Sequence, residues 1–340
     1  MNLKYFLKKP NFRHLDRLTT EIGLIQHTNL DIPDPKFGYS IDDNARALIV
    51  MAKYYLIFKD KDAFHYIRIY LNYLERALTR SGFFHNFADF HGNFIDKKGS
   101  TDSFGRTFWA LSFVANAKLG VFSQKAKDIL SKIDKHALLL EPLRTKSFII
   151  IGYYNLKNKS KVSHIADELI EKFEKSSHED WAWFENSLTY SNAAMCQALF
   201  YAYRLTRKKK YLNVALASFD FLSLASTHKG KPAPIGQAGW HERGKEKALY
   251  DQQAVDAGKM VSTSLLAYDI TKDKKYLRLA YGWYMWFHKN NIAGVEMIEP
   301  IWGACYDGIT PKGVNLNKGA ESTLSYLMAY LDFSNLVLKK

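Results

Sequence analysis

Apolar residues recur at every third or fourth position along most of the chain, whereas strict apolar–polar alternation is rare. This periodicity predicts twelve helices, at 13–28, 41–58, 62–79, 102–118, 123–137, 141–156, 161–176, 185–206, 209–226, 250–271, 274–290 and 319–336. The connections between them are either short and polar or long and rich in Gly, Pro and aromatic residues. The pattern therefore predicts an all-α protein.

One short polar turn recurs between predicted helices. It reads FKDKDAF at 58–64, TRKKKYL at 206–212 and TKDKKYL at 271–277, and the last two copies are 65 residues apart. A spacing of about two helices plus loops is typical of an array of helical hairpins. Short turns on one side and long loops on the other favour a closed ring over an open α-solenoid. We therefore expect one domain over 1–340, an (α/α)6 toroid of six helical hairpins.

The composition is that of a globular protein with a large core and an unusual supply of aromatic rings. Apolar residues make up 47% and charged residues 24% of the 340 residues, and 15% are aromatic. Part of the aromatic fraction belongs in the core. Trp and Tyr near polar loops also suit a sugar-binding cleft, because a flat ring stacks on the apolar face of a pyranose.

The charge and the missing motifs exclude several classes. The net charge is +14, with 36 Lys against 12 Arg spread along the chain, which indicates a solvated surface rather than a nucleic-acid site. No run of about 18 apolar residues and no signal-peptide core is present, so we expect no membrane span and a cytoplasmic protein. Two cysteines make no disulfide framework, and zinc-site spacing and nucleotide-binding motifs are absent. We predict neither metal nor cofactor.

Acidic residues recur where the even-numbered predicted helices begin. If these helices form the inner ring, their N-termini converge at one end of the toroid, where free backbone N–H groups and positive dipole ends also gather. Capping preference accounts for some of the acids. It does not account for the Trp, Tyr, Asn, Gln and Arg that accompany them.

The segment GYSIDDNARA at 38–47 is the most informative of these starts. Ser40 can cap the helix with Asp43 in a capping box, which explains at most one of the carboxylates. Asp42, Asp43 and Arg46 then precede an apolar run, a pattern that indicates a cavity-facing helix start. At 101–106, Asp102 and Arg106 repeat the arrangement of an acid followed one turn later by Arg.

The segment WAWFENSLTYSNA at 181–193 is the second strong signal. Large aromatics lead into Glu185, and a carboxyl flanked by aromatics is desolvated, which raises its pKa and suits a general acid. The alternative is an acid favoured by the dipole of the helix. Weaker acidic starts occur at 250–258, with Asp251 and Gln252, and at 318–323, with Glu321.

Together, these segments resemble the six-hairpin glycosidase superfamily, and most closely its bacterial members encoded beside or fused to glycosyltransferases. The segments that carry the resemblance are 38–47, 251–257 and 319–323. The superfamily includes inverting hydrolases, phosphorylases, unsaturated-uronyl hydrolases and, on a related toroid, sugar epimerases, so the fold does not fix the reaction. The resemblance implies an oligosaccharide substrate and a glycosyltransferase as partner.

Our first hypothesis is an inverting glycoside hydrolase, in which Glu185 is the general acid and Asp43 or Asp42 is the base that activates water. The remaining candidates would contact the sugar through rings or hydrogen bonds: Tyr39, Arg46, Asp102, Arg106, Trp181, Trp183, Asn186, Trp240, His241, Asp251, Gln252 and Glu321. Two alternatives stay open. One is a phosphorylase, or an N-acylglucosamine-type epimerase using His241 or His85. The other is a non-catalytic glycan-binding toroid.

Overall fold

The structure, a computed structural model, describes residues 3–338 and is helical through most of them. In that range there are twelve α-helices, and their bounds are α1 Arg13–Leu18, α2 Ile41–Phe58, α3 Ala63–Arg76, α4 Thr101–Asn116, α5 Val121–Ala137, α6 Leu143–Asn155, α7 Lys159–Ser176, α8 Ala193–Thr206, α9 Lys209–Ala225, α10 Ala254–Thr271, α11 Lys274–Tyr284 and α12 Ala320–Leu338. Short 3₁₀ helices lie at Leu3–Leu7, Pro35–Phe37 and Met285–Phe287.

The even-numbered helices form a closed inner ring. Each of α2, α4, α6, α8 and α10 packs against the next even helix, and α12 packs against α2. Each of α3, α5, α7, α9 and α11 packs on the inner helix that precedes it, while α1 and the 3₁₀ helix Leu3–Leu7 pack on α12. The prediction of an all-α (α/α)6 toroid is therefore confirmed.

The inner helices approach one another closely because small residues stand at their contacts. On α10, a Cβ added to Gly258 would lie 2.7 Å from the backbone oxygen of Ser325 on α12. On α4, a Cβ added to Gly105 would lie 3.0 Å from the backbone oxygen of Thr145 on α6. Backbone atoms cannot rotate away as a side chain can, so these glycines set the spacing of the ring.

We expect Gly258→Ala to destabilise the fold by about 1–3 kcal/mol, because the new methyl group overpacks a contact with backbone. Gly282 on α11 is the matched control, since a Cβ there meets no atom within 4 Å. Gly282→Ala should be neutral or slightly stabilising, as Ala favours the helix. Urea unfolding of both variants measures the difference, and equal stability of the two would contradict this account of the ring.

The long loops carry short antiparallel strands at the N-terminal end of the inner ring. Five pairs and one three-stranded sheet are formed: Thr28–Asn29 with Ile32–Pro33, Tyr39–Ser40 with Phe87–Ala88, Ser187–Leu188 with His241–Glu242, Thr227–His228 with Lys231–Pro232, Ile298–Glu299 with Ala304–Cys305, and Gly308–Thr310 between Gln252–Gln253 and Gly313–Asn315. Two of these strands, Tyr39–Ser40 and Gln252–Gln253, run directly into α2 and α10, so they fix where those helices begin.

Several predicted helices are shorter than expected, and local backbone geometry explains the late starts of two of them. The predicted helix at 185–206 begins only at Ala193, because Ser191 has φ 48° and the preceding residues pair as a strand. The predicted helix at 250–271 begins at Ala254, after Asp251 at φ 60°. Left-handed backbone at Ser191 and Asp251 interrupts the helical run in these two cases. The predicted helix at 13–28 ends at Leu18, where the next residue is extended, and that at 274–290 ends at Tyr284.

None of the helices among residues 3–338 is both long and apolar enough to cross a membrane. Cys196 and Cys305 are both buried and unpaired in this range. Burial raises the pKa of the Cys196 thiol to about 12, so it packs as a small apolar side chain.

Candidate functional site

A cavity of about 700 Å³ opens where the N-termini of the inner helices converge. Its wall includes two guanidinium groups, from Arg46 and Arg106, and six carboxyl groups, from Asp42, Asp43, Asp102, Asp251, Asp307 and Glu321. Buried charges of this density need partners, so their pairing decides which of them can act on a ligand.

Arg46 on α2 joins three of the carboxyl groups. Its guanidinium lies 2.9 Å from Asp42 Oδ2 and 2.6 Å from Glu321 Oε2, and it donates to Asp43 Oδ1 at 3.1 Å. Its side chain is 7% exposed, whereas that of Glu321 is 41% exposed. The partly exposed Glu321 therefore retains oxygen surface that can accept hydrogen bonds from a ligand.

Asp43 is both a cap and a cavity-facing acid. Ser40 caps α2 by accepting from the Asp43 backbone N–H at 3.1 Å, and the Ser40 hydroxyl donates back to Asp43 Oδ2 at 2.6 Å. Burial raises the pKa of the Asp43 carboxyl to about 7, and the charges of Asp42 and Glu321 act in the same direction. A carboxyl with this pKa can give or take a proton near neutral pH.

Arg106 on α4 couples the first two acidic helix starts. Its Nε lies 2.7 Å from Asp42 Oδ1, and its Nη2 donates to Asp102 Oδ2 at 2.8 Å. The guanidinium also lies over the ring of Phe148, 4.6 Å from its centroid. Asp42 is thus held between two guanidinium groups.

Glu185 does not line the cavity; it braces a neighbouring loop. It lies 3.0 Å from Arg144 Nη1, and its side chain is 33% exposed. Arg144 also donates to the backbone oxygen of Tyr190 at 2.6 Å and to Thr189 Oγ1 at 2.5 Å, and its guanidinium lies 4.9 Å from the centre of the Tyr190 ring. Tyr190 faces the cavity, so the Arg144–Glu185 pair fixes the loop that presents it.

Most of the aromatic residues that were predicted to contact a sugar lie behind the cavity wall. Trp181 and Trp183 are 4% and 0% exposed, and Trp181 donates through Nε1 to the Glu185 backbone oxygen at 2.7 Å. Tyr39 is 0% exposed, and its hydroxyl lies 2.9 Å from Thr20 Oγ1. The expectation that these three rings stack on a sugar does not fit their burial, because the apolar faces are already covered by protein.

Four other candidates lie outside the cavity wall. Trp240 is half-buried, 6.4 Å from Tyr190 between ring centroids, and it does not line the cavity. His241 packs edge-on against Trp181, and burial lowers its pKa. The exposed Asn186 accepts a backbone hydrogen bond from Arg243. His85 lies 2.5 Å from the Asp96 backbone oxygen and is likewise outside the cavity wall.

The structure adds residues that the sequence pattern did not identify. Tyr190 and Ser191 line the cavity because the start of α8 is a loop rather than a helix. Asp307 lines it from a strand-rich loop and accepts from the Gly319 N–H at 2.7 Å and the Ser322 hydroxyl at 2.6 Å. No sequence signal marks Asp307, since its partners lie over ten residues away. Among residues 3–338, no cluster of His, Cys, Asp and Glu side chains could hold a metal ion.

Asp256, in the first turn of α10, is a second buried acid close to the site. It is 8% exposed, and burial raises its pKa to about 7. The backbone N–H of Ser191 and the guanidinium groups of Arg144 and Arg106 oppose this shift. Its side chain lies behind Ser191 rather than in the cavity wall, so it supports the loop that carries Tyr190.

We expect Asp256→Asn to gain stability relative to wild type as the pH rises from 5 to 8. The folded-state pKa of Asp256 lies above its unfolded value, so the folded state holds an extra proton between about pH 4 and 7. The free energy of unfolding of wild type therefore falls as the pH rises through this window, by on the order of a few kcal/mol, and levels off above it, whereas Asn does not titrate. Melts of both proteins across this range measure the difference. Asp128→Asn, on the exposed face of α5, is the control. A difference in stability between Asp256→Asn and wild type that does not change with pH would refute the raised pKa of Asp256.

Comparison with known proteins supports the toroid. No protein-family model matches the sequence, and no curated protein matches it significantly. Among solved structures, cellobiose 2-epimerase from Bacillus thermoamylovorans is similar with a TM-score of 0.77 and 14% identity, covering 99% of this chain and 98% of that one. A D-mannose isomerase gives 0.77 and 14%, covering 98% and 97%. A GH76 α-mannanase from Bacteroides thetaiotaomicron gives 0.67 and 12%, covering 99% and 96%. Because sequence identity to these proteins is low, the likeness concerns the fold, and the chain shares their (α/α)6 toroid.

Proposed function

We propose that this protein is a carbohydrate-active enzyme that transfers protons on a reducing sugar bound in the 700 Å³ cavity, as a sugar epimerase or isomerase. The observation that carries the proposal is Asp43, a buried carboxyl facing the cavity whose pKa is raised to about 7. Hydrolysis with Glu185 as the general acid is less well supported, because Glu185 is outside the cavity wall.

The fold likeness supports this reaction class. The cellobiose 2-epimerase and the D-mannose isomerase match this chain end to end, and their TM-scores exceed that of the α-mannanase. Both named activities rearrange a sugar at or beside its carbonyl carbon. Likeness of fold alone does not transfer a reaction, so the proposal depends on the chemistry of the cavity.

The cavity offers the groups that such chemistry needs. In an open-chain aldose, the ionised Asp43 would remove the proton from C2, leaving an enediolate whose negative charge the Arg46 and Arg106 guanidinium groups would stabilise. If the intermediate turns about its C2–C3 bond, protonated Asp43 returns the proton to the opposite face of C2 and gives the epimer. If the proton goes instead to C1 while the O2 proton passes to O1, the ketose forms. The pKa of Tyr190 is raised by burial, so its hydroxyl stays protonated and can donate to a sugar oxygen.

The other acids suit sugar recognition. Asp42, Asp102 and Glu321 are held by the two arginines yet keep 22–41% of their side chains exposed. Carboxylate oxygens in this setting accept hydrogen bonds from sugar hydroxyls, and the fixed guanidinium groups prevent them from rotating away.

Glycoside hydrolysis remains a second candidate because of one specific observation. The only histidine in the described cavity wall is His27, which is exposed, so an imidazole pair for proton transfer is not available there. Two carboxyl groups that share Arg46 are available, however, those of Asp43 and Glu321. Asp43 would then act as the protonated acid and Glu321 as the base that activates water.

The expected partnership with a glycosyltransferase stays a prediction.

Product analysis by NMR distinguishes the two reactions. The enzyme is incubated with a panel of aldoses, reducing disaccharides and longer oligosaccharides of both anomeric linkages, with and without phosphate. A changed configuration at C2 or a new ketose, with the glycosidic bond intact, supports the proposal. New reducing ends favour hydrolysis, and phosphate-dependent sugar phosphate favours phosphorolysis. Saturable binding without any product would support the non-catalytic glycan-binding alternative and contradict the proposal.

We expect Glu185→Gln to retain most of its activity, because Glu185 braces the loop through Arg144 and does not face the cavity. Glutamine keeps an oxygen that can accept from Arg144, so the loop should hold its shape. Steady-state kinetics on whichever sugar the panel identifies measure the effect, and a loss of 100-fold or more in kcat would restore Glu185 as the catalytic acid.

A further inference from the structure

A second cavity, of about 300 Å³, lies inside the ring on the other side of Arg46 and Arg106. The residues that line it follow the i, i+3/i+4 spacing of single helix faces, as Gln197, Tyr201 and Arg204 do on α8 and Ser262, Leu265 and Asp269 do on α10. These stripes run from the first turns of the helices to their last turns. The cavity is therefore a bore that runs along the ring toward the end with the short turns.

The bore and the cavity of about 700 Å³, which we call the candidate active site, have opposite charge. Six cationic side chains line the bore, against two carboxylates, Asp269 and Asp332. The candidate active site has the reverse ratio, with two guanidinium groups and six carboxyl groups. Arg46 and Arg106 line both cavities, so their side chains form the boundary between the bore and the candidate active site. The two cavities are thus built for different ligands.

The carboxylates of the bore are already paired. Asp332 accepts from Lys53 Nζ at 2.5 Å and from the Ser262 hydroxyl at 2.5 Å. Asp269 pairs with Arg204 and, at 2.9 Å, with Lys272. Neither carboxylate is therefore available to neutralise a further cation in the wall.

Lys259 on α10 is that further cation. Among the described residues, its amine has one hydrogen-bond acceptor, Gln197 Oε1 at 2.9 Å, and it forms no ion pair. It lies over the rings of Trp109 and Phe148, 4.4 and 5.4 Å from their centroids. Burial lowers the pKa of Lys259, and the positive charges of Arg106 and Lys53 lower it further. A bound anion would oppose this shift and favour the ammonium form, which has three N–H donors, so two remain for the ligand.

We infer that the bore is a binding site for a small organic anion, whose charged group pairs with Lys259 while its apolar body lies against Leu265, Leu266 and Met328. An anion there would meet Lys259, Lys53 and the guanidinium groups at the boundary, and the apolar stretch of the wall would cover a short chain or ring. A volume of about 300 Å³ limits the ligand to a small molecule. This site does not depend on the sugar chemistry proposed for the other cavity.

Calorimetric titration with three six-carbon probes tests the inference on the whole chain. Hexanoate, hexan-1-ol and hexylammonium share one apolar body and differ only in the charge of the head group. We expect saturable, one-to-one binding of hexanoate, at least about tenfold weaker binding of hexanol, and none of hexylammonium. Equal affinity for hexanoate and hexanol would overturn the inference, and so would the absence of saturable binding by hexanoate.

Substitution locates the site. Lys259→Met keeps the apolar stem without the charge, and it should weaken hexanoate at least about tenfold while leaving hexanol unchanged. Lys175→Met, on the exposed face of α7, is the matched control and should leave both affinities unchanged. Circular dichroism checks that both variants are folded. Undiminished binding of hexanoate by folded Lys259→Met would overturn the assignment, and the probe series on wild type stands even if this variant does not fold.

Discussion

Asp43→Asn is expected to lower kcat/KM by about 10²–10⁴-fold, the usual contribution of a positioned general acid or base. Asparagine has nearly the shape of the carboxyl group and can still accept from Arg46 or Ser40, so the helix cap should survive. Circular dichroism and a thermal melt check the fold, and steady-state kinetics measure the loss. Activity within threefold of wild type would remove Asp43 from the mechanism.

The pH profile of wild type reports which role Asp43 has. If Asp43 is the base of an isomerase or epimerase, it must be ionised, so kcat/KM should rise as the pH increases through about 7. If it is the acid of a hydrolase, it must be protonated, and kcat/KM should fall over the same range. Asp251→Asn at the same cavity is the control, because it should alter KM more than the shape of the profile.

Arg46→Met is expected to lower the free energy of unfolding by about 3–5 kcal/mol at pH 8, since it leaves buried carboxyl groups without their shared cation. Arg46 contacts Asp42, Asp43 and Glu321, and its own side chain is almost fully buried. The loss should shrink at pH 5, because a carboxyl group that has no cation beside it takes up a proton more easily.

Urea unfolding at both pH values measures this effect. Lys175→Met is the control, because Lys175 and Glu171 are both largely exposed at 4.0 Å. Such surface pairs contribute at most about 1 kcal/mol. A loss of this small size for Arg46→Met would mean that Arg46 is not the residue that joins the acidic helix starts.

The fold could be predicted from the sequence because helical periodicity and the repeated turn are local signals. The Lys-rich turns at 206–212 and 271–277 do join inner helices to outer ones, as the hairpin array requires. The boundaries of α8 and α10 could not be predicted. They depend on left-handed backbone at Ser191 and Asp251 and on strand pairing with distant loops.

The acidic side of the site was predictable for a related reason. Asp42, Asp43, Asp102 and Glu321 stand in the first turns of inner helices, so the toroid itself brings them together. The predicted role of Glu185 depended on a helix that begins eight residues later than expected, at Ala193. The burial of Tyr39, Trp181 and Trp183 could not be predicted, because sequence shows that a ring is present but not which side of it the protein covers.

The bore could not be anticipated from local pattern. In the sequence, Lys259 follows Ala and Gly and precedes Met, and nothing in this pattern distinguishes it from a solvent-exposed helical lysine. Only the packing of α8 and α12 against α10 shows that Lys259 has no carboxylate partner. Its hydrogen-bond acceptor is Gln197, and the nearby Asp332 is already paired with Lys53.

The central claim, proton transfer on a sugar by Asp43, is tested most directly by NMR detection of solvent deuterium in the sugar. Reducing sugars are incubated in D₂O with wild type or Asp43→Asn. The account predicts that wild type places deuterium at C2 of recovered aldose or epimer, or at C1 of a ketose, and that Asp43→Asn does so at least 100-fold more slowly. Conversion with no carbon-bound deuterium, or equal labelling by the two proteins, would contradict it.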